Sequence, residues 1–392
     1  MKTLRDLGDL DGKRVLVRVD FNVPLENGTV ADDMRIRAAL PTIEELRRRG
    51  ARIVLVSHLG RPKDREPSLS LAPVGARLGE LLGAPVSVAP GVVGGDVRAA
   101  VDGLGDGDVL LLENVRYEPG ETKNDPELAG ELASLADVYV DDAFGAAHRA
   151  HASTEGVARL VPDHAGGLLL EREVSTLMGV LEDPARPLVS VLGGAKVSDK
   201  IGVIDRFRES ADTILIGGAM CFPFLAAQGH PVGDSLCASD DVELARRTLS
   251  SGSASRARLE LPVDLVIADR FDADASTREL DGLDVPDGWM GLDIGPRTAA
   301  LYGDVIAGAG TVFWNGPMGL FEVAEFATGT RTVGEAVAAC PGVTVVGGGD
   351  TVSAVRAFGL EDHITHVSTG GGASMEFLEG RALPGVEALL DA

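Results

Sequence analysis

Basic side chains follow four apolar segments in the first half of the sequence. The segments are 14–20, 52–58, 109–116 and 137–149. Each has the short, two-sided apolar pattern of a parallel strand buried on both faces, and the ligand crevice of such a sheet lies at the carboxyl ends of its strands. One sheet edge is therefore predicted to carry four basic side chains, which are His58, Arg61, Arg116 and Arg149. Such a cluster indicates an anionic small ligand, most simply a phosphate ester.

Three further polar residues in the first half could contact the same ligand. Asp20 and Asn22 end the first segment and could hydrogen-bond to hydroxyl groups, although residues of these types most often only form turns. Arg35 opens a predicted helix, where an arginine is usually just exposed.

Glycine clusters follow predicted strands in the second half. They lie at 192–194, 216–218, 346–349 and 368–372. Glycine lets backbone N–H groups approach phosphate oxygens, and a following helix N-terminus adds a favourable dipole. None of the clusters fits the GxxxxGK[ST] loop or the GxGxxG fingerprint, so the sequence predicts a nucleotide site of another design.

Lysine, aspartate and glutamate residues near these clusters add to the prediction of a nucleotide site. Only six of the 36 basic residues are lysines, and Lys196 and Lys200 lie beside the first glycine cluster, where a helical start would place both on one face. Asp350 could hold a magnesium ion that bridges phosphates, or it could simply cap a helix. Glu322 could accept hydrogen bonds from ribose hydroxyls, or it could be a solvated glutamate.

Bulk composition restricts the class of protein. The 392 residues suggest two or three domains, and a net charge of -24 argues against nucleic acid or an anionic membrane as main partners. The three cysteines have no CxxC spacing, and metal binding by the His148/His151 pair is disfavoured because no HExxH pattern is present. A polar start and the lack of an apolar run of about 18 residues predict a cytoplasmic protein without a signal peptide or membrane span.

Strand-like and helix-like segments alternate along the chain, which predicts an α/β fold with mainly parallel sheets. Predicted helices are 38–49, 71–82, 126–135, 203–208, 240–249 and 329–339. Predicted strands of the second half are 188–192, 213–216, 265–268, 311–314, 343–346 and 364–368. A long helix over 168–181, closed by a proline-containing segment that ends at Pro187, is the best domain boundary.

In sequence order, these segments resemble the phosphoglycerate kinase family over essentially the entire chain. The motifs are RVDFNVP (18–24), DDMRIRAALPTI (32–43), SHLGRP (57–62), LLENVRY (111–117), DAFGAAHRAHAS (142–153), LGGAKVSDKIGVI (192–204), GWMGLDIGP (288–296), WNGPMGLFE (314–322), GGGDT (347–351) and STGGGAS (368–374). Several of them are too long and unusual to arise by chance.

The resemblance implies two Rossmann-like lobes, each a mainly parallel sheet with helices on both faces, that face each other across a cleft. The lobe at 1–167 would bind 3-phosphoglycerate or 1,3-bisphosphoglycerate, 168–187 would form the interdomain helix and hinge, and 188–392 would bind Mg-ADP or Mg-ATP. A return of the last residues to the N-terminal lobe is left open. The implied enzyme is a monomer that transfers a phosphoryl group reversibly between ATP and the substrate carboxylate, with Mg²⁺, in glycolysis and gluconeogenesis.

The resemblance also assigns residues to roles. The substrate contacts would be Asp20, Asn22, Arg35, His58, Arg61, Arg116 and Arg149. The nucleotide contacts would be Lys196, Lys200, Gly217, Gly218, Asn315, Glu322, Gly347, Gly348, Gly349, Asp350 and Thr351, with Asp350 as the magnesium ligand. Phosphoryl transfer would involve Arg35, Lys200, Gly371 and Gly372.

Two positions depart from the family pattern. Ala219 replaces a frequent third glycine and Pro223 replaces a usual threonine, both near the expected adenine pocket, which puts nucleotide affinity or base preference in doubt. The residues alone leave two other functional classes open. One is a nucleotide-sugar glycosyltransferase, which would need a sugar-activating base, and the other is a binder of phosphorylated ligands without catalytic activity.

Overall fold

A computed structural model describes residues 1–250 and 256–390 of the chain, which divide into two compact units. The first unit comprises Met1–Ser175 and the carboxyl-terminal stretch from Arg381, and the second comprises Thr176–Gly380. The division falls within a helix at Leu168–Glu182, close to the predicted span 168–181. None of the described helices combines the length and apolar character needed to cross a lipid bilayer.

The first unit contains a six-stranded parallel sheet and a small hairpin. Its strands are β1 (Arg14–Arg18), β2 (Leu25–Glu26), β3 (Thr29–Val30), β4 (Arg52–Val56), β5 (Val86–Val88), β6 (Val109–Leu111), β7 (Val138–Asp141) and β8 (His164–Gly166). The order in the sheet is β5-β6-β4-β1-β7-β8, and β2 pairs only with β3. The four strands predicted from apolar segments are therefore neighbours at the centre of the sheet, which places their carboxyl ends side by side.

Helices connect these strands. They are α1 (Met34–Arg48), α2 (Ala72–Leu82), α3 (Gly95–Asp102), α4 (Pro126–Ala133), α5 (Val157–Leu160) and α6 (Leu168–Glu182). The start of α4 shows how the sequence specifies a helix: Asp125 accepts hydrogen bonds from the N–H groups of Glu127 and Leu128, and Pro126 occupies the first turn. Apolar side chains of α1 and α2 pack on the central strands in one buried core.

The second unit contains a parallel sheet and a separate antiparallel one. Its strands are β9 (Leu188–Leu192), β10 (Thr213–Ile216), β11 (Arg258–Glu260), β12 (Leu265–Ala268), β13 (Thr277–Leu280), β14 (Met290–Ile294), β15 (Thr311–Asn315), β16 (Val343–Gly347) and β17 (His366–Val367). The parallel sheet has the order β11-β10-β9-β15-β16-β17, and the antiparallel sheet has the order β13-β12-β14. The α/β prediction with mainly parallel sheets is confirmed.

The remaining helices lie mostly in the second unit. They are α7 (Ile201–Ser210), α8 (Cys221–Ala227), α9 (Ser239–Ser250), α10 (Pro296–Ala307), α11 (Thr328–Ala339), α12 (Gly349–Ala357), α13 (Gly372–Leu378) and, in the first unit, α14 (Pro384–Glu387). One expectation needs correction, because β12 pairs antiparallel with β13 and β14 instead of joining the parallel sheet. An apolar run identifies a strand but does not identify its partners.

Candidate active site

The carboxyl edge of the first sheet brings the predicted substrate residues into one neighbourhood. Asp20 and Asn22 follow β1, His58 and Arg61 follow β4, and Arg116 follows β6. Arg149 follows β7. The charge of Arg61 acts to lower the pKa of Arg116, and the charges of Arg116 and Arg149 both act to lower the pKa of His151. The three arginines are therefore close enough to interact electrostatically.

Asp20 lies near His58 and forms an ion pair with Arg35. The Nη1 of Arg35 donates to Oδ2 of Asp20 at 2.7 Å, so Arg35 is not the simply exposed arginine that its position at the start of α1 would suggest. Burial by itself would raise the pKa of Asp20, but nearby cationic side chains, including Arg35 and Arg18, hold it below its ordinary value. Asn22 accepts a hydrogen bond from the N–H of Gly60 at 2.9 Å, which fixes the loop that carries Arg61.

His58 is part of the cluster but is not one of its cations. Burial lowers its pKa to about 3, with the attraction of Asp20 opposed by the positive charges of Arg18, Arg116 and Arg35. Its Nδ1 lies 3.2 Å from Nη2 of Arg18, an arrangement in which the neutral ring accepts the hydrogen bond. The expectation of a basic His58 is therefore corrected: the side chain offers a hydrogen-bonding group, and the positive charge comes from the arginines.

The three remaining arginines are not neutralised by carboxylates. Within the described part of the chain, Arg61, Arg116 and Arg149 form no ion pair, and Nε of Arg116 is buried without a hydrogen-bond partner. Burial together with the charges of Arg18 and Arg61 lowers the pKa of Arg116. Positive charge held in this way favours the binding of an anion.

Buried residues that adjoin the arginine cluster were not predicted from the sequence. Arg18 is only 1% exposed, and its Nε donates to Oγ of Ser153 at 2.8 Å. Ser153 in turn donates to the buried carboxylate of Glu121, which also lies near His151. One feature of the sequence could have indicated that Arg18 is buried. It is the last residue of the apolar run of β1, and a strand buried on both faces buries its last side chain as well.

The second unit contains a cavity of about 470 Å³ beside the carboxyl edge of its parallel sheet. Gly218 and Ala219 line it after β10, and Glu322 and Asp350 line it after β15 and β16. Apolar side chains such as Phe222 supply much of the remaining wall. The size and the mixture of apolar walls with a few polar groups suit a nucleoside.

The two positions that depart from the family pattern differ in their relation to this cavity. Ala219 is part of the wall, whereas Pro223 is buried within α8 and its neighbours Cys221 and Phe222 face the cavity instead. Gly217 is also buried behind the wall, and a Cβ there would lie 2.4 Å from Sδ of Met318. Of the two departing positions, Ala219 is therefore the one that could contact a bound base directly.

Lys200 and Lys196 have different environments. Both precede α7, which begins at Ile201, so the expectation that a helical start places them on one face is wrong. Lys196 is exposed, whereas the Nζ of Lys200 contacts Oδ1 of Asn315. Burial lowers the pKa of Lys200 to about 8, although Asp199 and Asp350 partly oppose the change.

Asn315 connects Lys200 to the glycine cluster that follows β16. Its Nδ2 donates to the carbonyl oxygen of Gly347 at 2.8 Å, and its side chain is 2% exposed. Gly348 has a φ of +90°, and a Cβ there would lie 2.6 Å from the same Nδ2. Glycine is therefore required at 348 so that the backbone can pass over Asn315.

The glycine clusters serve two purposes. Gly193, Gly218 and Gly316 allow neighbouring loops to pack closely, since a Cβ at 316 would lie 2.2 Å from the carbonyl oxygen of Gly193. Gly349 and Gly371, in contrast, have open space where a side chain would be. These two begin or cap α12 and α13, so only these clusters combine free space with the unpaired N–H groups of a helix start. Gly372, the first residue of α13, is exposed.

Asp350 and Thr351 follow in the first turn of α12 but have different surroundings. Thr351 is 1% exposed and its Oγ1 accepts a hydrogen bond from the N–H of Gly316 at 2.6 Å, so its hydroxyl already holds the fold together. Asp350 is exposed at the cavity wall. The described residues contain no cluster of three or more metal-ligating side chains, but a single carboxylate fits Mg²⁺, which takes most of its ligands from phosphates and water.

Comparison with known proteins gives a consistent assignment. The sequence profile described as phosphoglycerate kinase matches residues 4–381. Phosphoglycerate kinase of Roseiflexus castenholzii is 56% identical over 394 aligned residues, covering 100% of this chain and 99% of that protein. Phosphoglycerate kinase of Rubrobacter xylanophilus is 57% identical, covering 99% and 98%.

A solved structure agrees with the sequence relatives. Phosphoglycerate kinase from Coxiella burnetii superimposes with a TM-score of 0.90 at 40% identity, covering 99% of this chain and 98% of that one. The chain thus shares both sequence and fold along its full length with enzymes of one kind. It belongs to the phosphoglycerate kinase family of phosphotransferases with a carboxyl group as acceptor (EC 2.7.2.3).

Proposed function

We propose that the first unit binds 3-phosphoglycerate, that the second binds Mg-ATP, and that the phosphoryl group passes directly and reversibly between them. The products are 1,3-bisphosphoglycerate and ADP. The observation that carries this proposal is the group of arginines without carboxylate partners, Arg61, Arg116 and Arg149, in a chain whose net charge is -24. Such a group is stabilised when a phosphorylated acid supplies the missing negative charge.

The chemistry requires charge neutralisation more than proton transfer. A carboxylate with a pKa of roughly 3.5 is already ionised at neutral pH, so the nucleophile needs no general base. Arg35 would contact the transferring group from the first unit, while Lys200 and the N–H groups of Gly371 and Gly372 would contact it from the second. Mg²⁺, held by Asp350 and nucleotide phosphates, would offset part of the phosphate charge.

Transfer between ligands held by different units requires the units to approach each other during catalysis. We propose that this closure also excludes water, because an exposed acyl phosphate or ATP would otherwise be lost to hydrolysis. Family membership supports a role in glycolysis and gluconeogenesis. We propose that the enzyme acts there as a cytoplasmic monomer.

A coupled assay tests the proposal. Wild type is supplied with 3-phosphoglycerate and Mg-ATP, and a dehydrogenase that consumes 1,3-bisphosphoglycerate reports turnover. We expect turnover in wild type, its collapse in Lys200→Ala, and little change in Lys13→Ala, which alters an exposed lysine before β1. Wild type that binds 3-phosphoglycerate in calorimetry but shows no turnover would favour a binder without catalytic activity.

A further inference from the structure

Glu121 is a buried carboxylate beneath the arginine cluster of the first unit. It begins a short 3₁₀ turn at Glu121–Lys123, five residues after Arg116, and is 1% exposed. Its Oε1 accepts a hydrogen bond from Oγ of Ser153 at 2.6 Å, and its Oε2 accepts one from the N–H of Ser153 at 3.0 Å. Both carboxylate oxygens are thus engaged by a single residue.

Ser153 links Glu121 to Arg18 by hydrogen bonds. Its Oγ donates to Glu121 and can therefore accept from Nε of Arg18, which lies 2.8 Å away. The two terminal nitrogens of Arg18 then have fixed partners, the carbonyl oxygen of Val19 and Nδ1 of His58. A continuous chain of buried hydrogen bonds leads from Glu121 through Ser153 and Arg18 to His58.

Glu121 also lies beside the turn that follows Arg149. His151 lies 3.6 Å from Oε1 of Glu121, measured from its Nδ1. Thr154 closes the turn, because its Oγ1 donates to the carbonyl oxygen of Arg149 at 2.8 Å. Glu121 therefore lies where the segments that carry Arg18, Arg116 and Arg149 come together.

Burial and nearby charges act on Glu121 in opposite directions. Burial raises the pKa of Glu121 above its ordinary value, and the charge of Arg18, the hydrogen bonds from Ser153 and the charge of Arg116 oppose this rise without cancelling it. Arg18 has no carboxylate in direct contact within the described part of the chain. Glu121 is linked to Arg18 only through the hydroxyl group of Ser153.

We propose that Glu121 is a positioning residue for the substrate site: it fixes Arg18, and through it His58, and it anchors the turn that follows Arg149. This inference rests on the proposed function, because it assumes that the arginine cluster binds 3-phosphoglycerate. Glu121 does not contact the substrate, and its effect reaches the substrate through Ser153 and Arg18.

Two single variants and their combination test the proposal. In Glu121→Gln the amide cannot accept both hydrogen bonds from Ser153, and Ser153→Ala removes the bridging hydroxyl without changing charge. Each should raise KM for 3-phosphoglycerate about tenfold, with KM for ATP within about twofold of wild type. Because both act through one chain of hydrogen bonds, the double variant should be little worse than the more affected single variant.

Asp264→Asn is the matched control. Asp264 is a buried carboxylate of the second unit whose Oδ1 accepts hydrogen bonds from the N–H and Oγ1 of Thr298 at 2.8 and 2.5 Å, and whose Oδ2 accepts one from the N–H of Arg297 at 2.9 Å. Like Glu121, it is held by hydrogen bonds from one hydroxyl group and from the backbone. It should lower the melting temperature without changing KM for 3-phosphoglycerate. The control therefore separates loss of stability from loss of positioning.

These outcomes distinguish failure of the positioning role of Glu121 from failure of the proposed function. Unchanged KM for 3-phosphoglycerate in folded Ser153→Ala, or effects of the two single variants that multiply to about a hundredfold, would overturn the positioning role while leaving the proposed function intact. Wild type that neither binds nor turns over 3-phosphoglycerate would overturn the proposed function and this inference with it. Equal increases in both KM values would also contradict the positioning role.

Discussion

Lys200 offers a sharp test of the nucleotide site, because its charge should change within an accessible pH range. Burial lowers the pKa of its ammonium to about 8 in the protein without ligand. About nine-tenths of the molecules would then carry the charged form at pH 7, and about one-tenth at pH 9. Nucleotide phosphates bind the charged form, so binding at pH 9 must be accompanied by protonation of the amine.

The size of the effect follows from this fraction. Protonating Lys200 at pH 9 costs about 1.4 kcal/mol, so affinity for Mg-ADP should fall about tenfold between pH 7 and pH 9. Lys200→Arg keeps its charge over the whole range. We therefore expect its affinity to be independent of pH, although weaker than that of wild type because the guanidinium is larger than the ammonium beside Asn315.

Calorimetric titration with Mg-ADP at pH 7, 8 and 9 measures both affinity and proton uptake, if buffers with different ionisation enthalpies are compared. Wild type should take up about half a proton at pH 8 and most of one at pH 9, and Lys200→Arg should take up none. Constant affinity of wild type up to pH 9, or the same decrease in the arginine variant, would refute the assignment of this pKa to phosphate binding.

Three further predictions test other parts of the structure. Arg35→Ala should lower kcat by about 10³-fold, roughly 4 kcal/mol, with a smaller effect on Mg-ADP affinity; near-normal kcat in the coupled assay would remove Arg35 from the transition state. Asp350→Ala should weaken Mg-ADP binding at least tenfold in calorimetry, whereas equal weakening of 3-phosphoglycerate binding would indicate misfolding. Burial raises the pKa of Asp142 to about 7, so this carboxyl group stabilises the folded protein fully only below pH 4 and loses that contribution as the pH rises through 7. Asp142→Asn should therefore raise the melting temperature more at pH 8 than at pH 5, because the gain in stability should be larger at pH 8 by about 3 kcal/mol. An equal gain at both pH values would contradict the raised pKa.

Strands were predictable where burial on both faces leaves an uninterrupted apolar run. The predictions 188–192 and 213–216 coincide with β9 and β10 for this reason. Short edge strands gave no such signal: β5 and β8 have only three residues each, and β8 includes His164. Their pairing depends on neighbouring strands that local sequence does not specify.

The position of site residues at strand ends was also predictable, but their charge states and partners were not. Topology alone places Arg61 and Arg116 at one sheet edge. The neutral state of His58 depends on burial and on Arg18, neither of which can be deduced from neighbouring residues in the sequence. The helical spacing assumed for Lys196 and Lys200 failed because α7 begins only after both.

The arrangement of charge in the first unit is consistent with the proposal that this acidic protein binds a highly charged anion. At physiological ionic strength screening reduces electrostatic interactions beyond about 8 Å, so the net charge of -24 has little influence inside the site and the nearest groups decide. Direct ion pairs would neutralise those groups, yet Arg18 is satisfied by a hydroxyl, a carbonyl and a neutral imidazole. Its charge is therefore not cancelled by a carboxylate in direct contact, and Ser153 alone links it to Glu121 by hydrogen bonds. Buried cations such as Arg18, which has neutral partners, thus favour the proposed anionic ligand despite the overall charge.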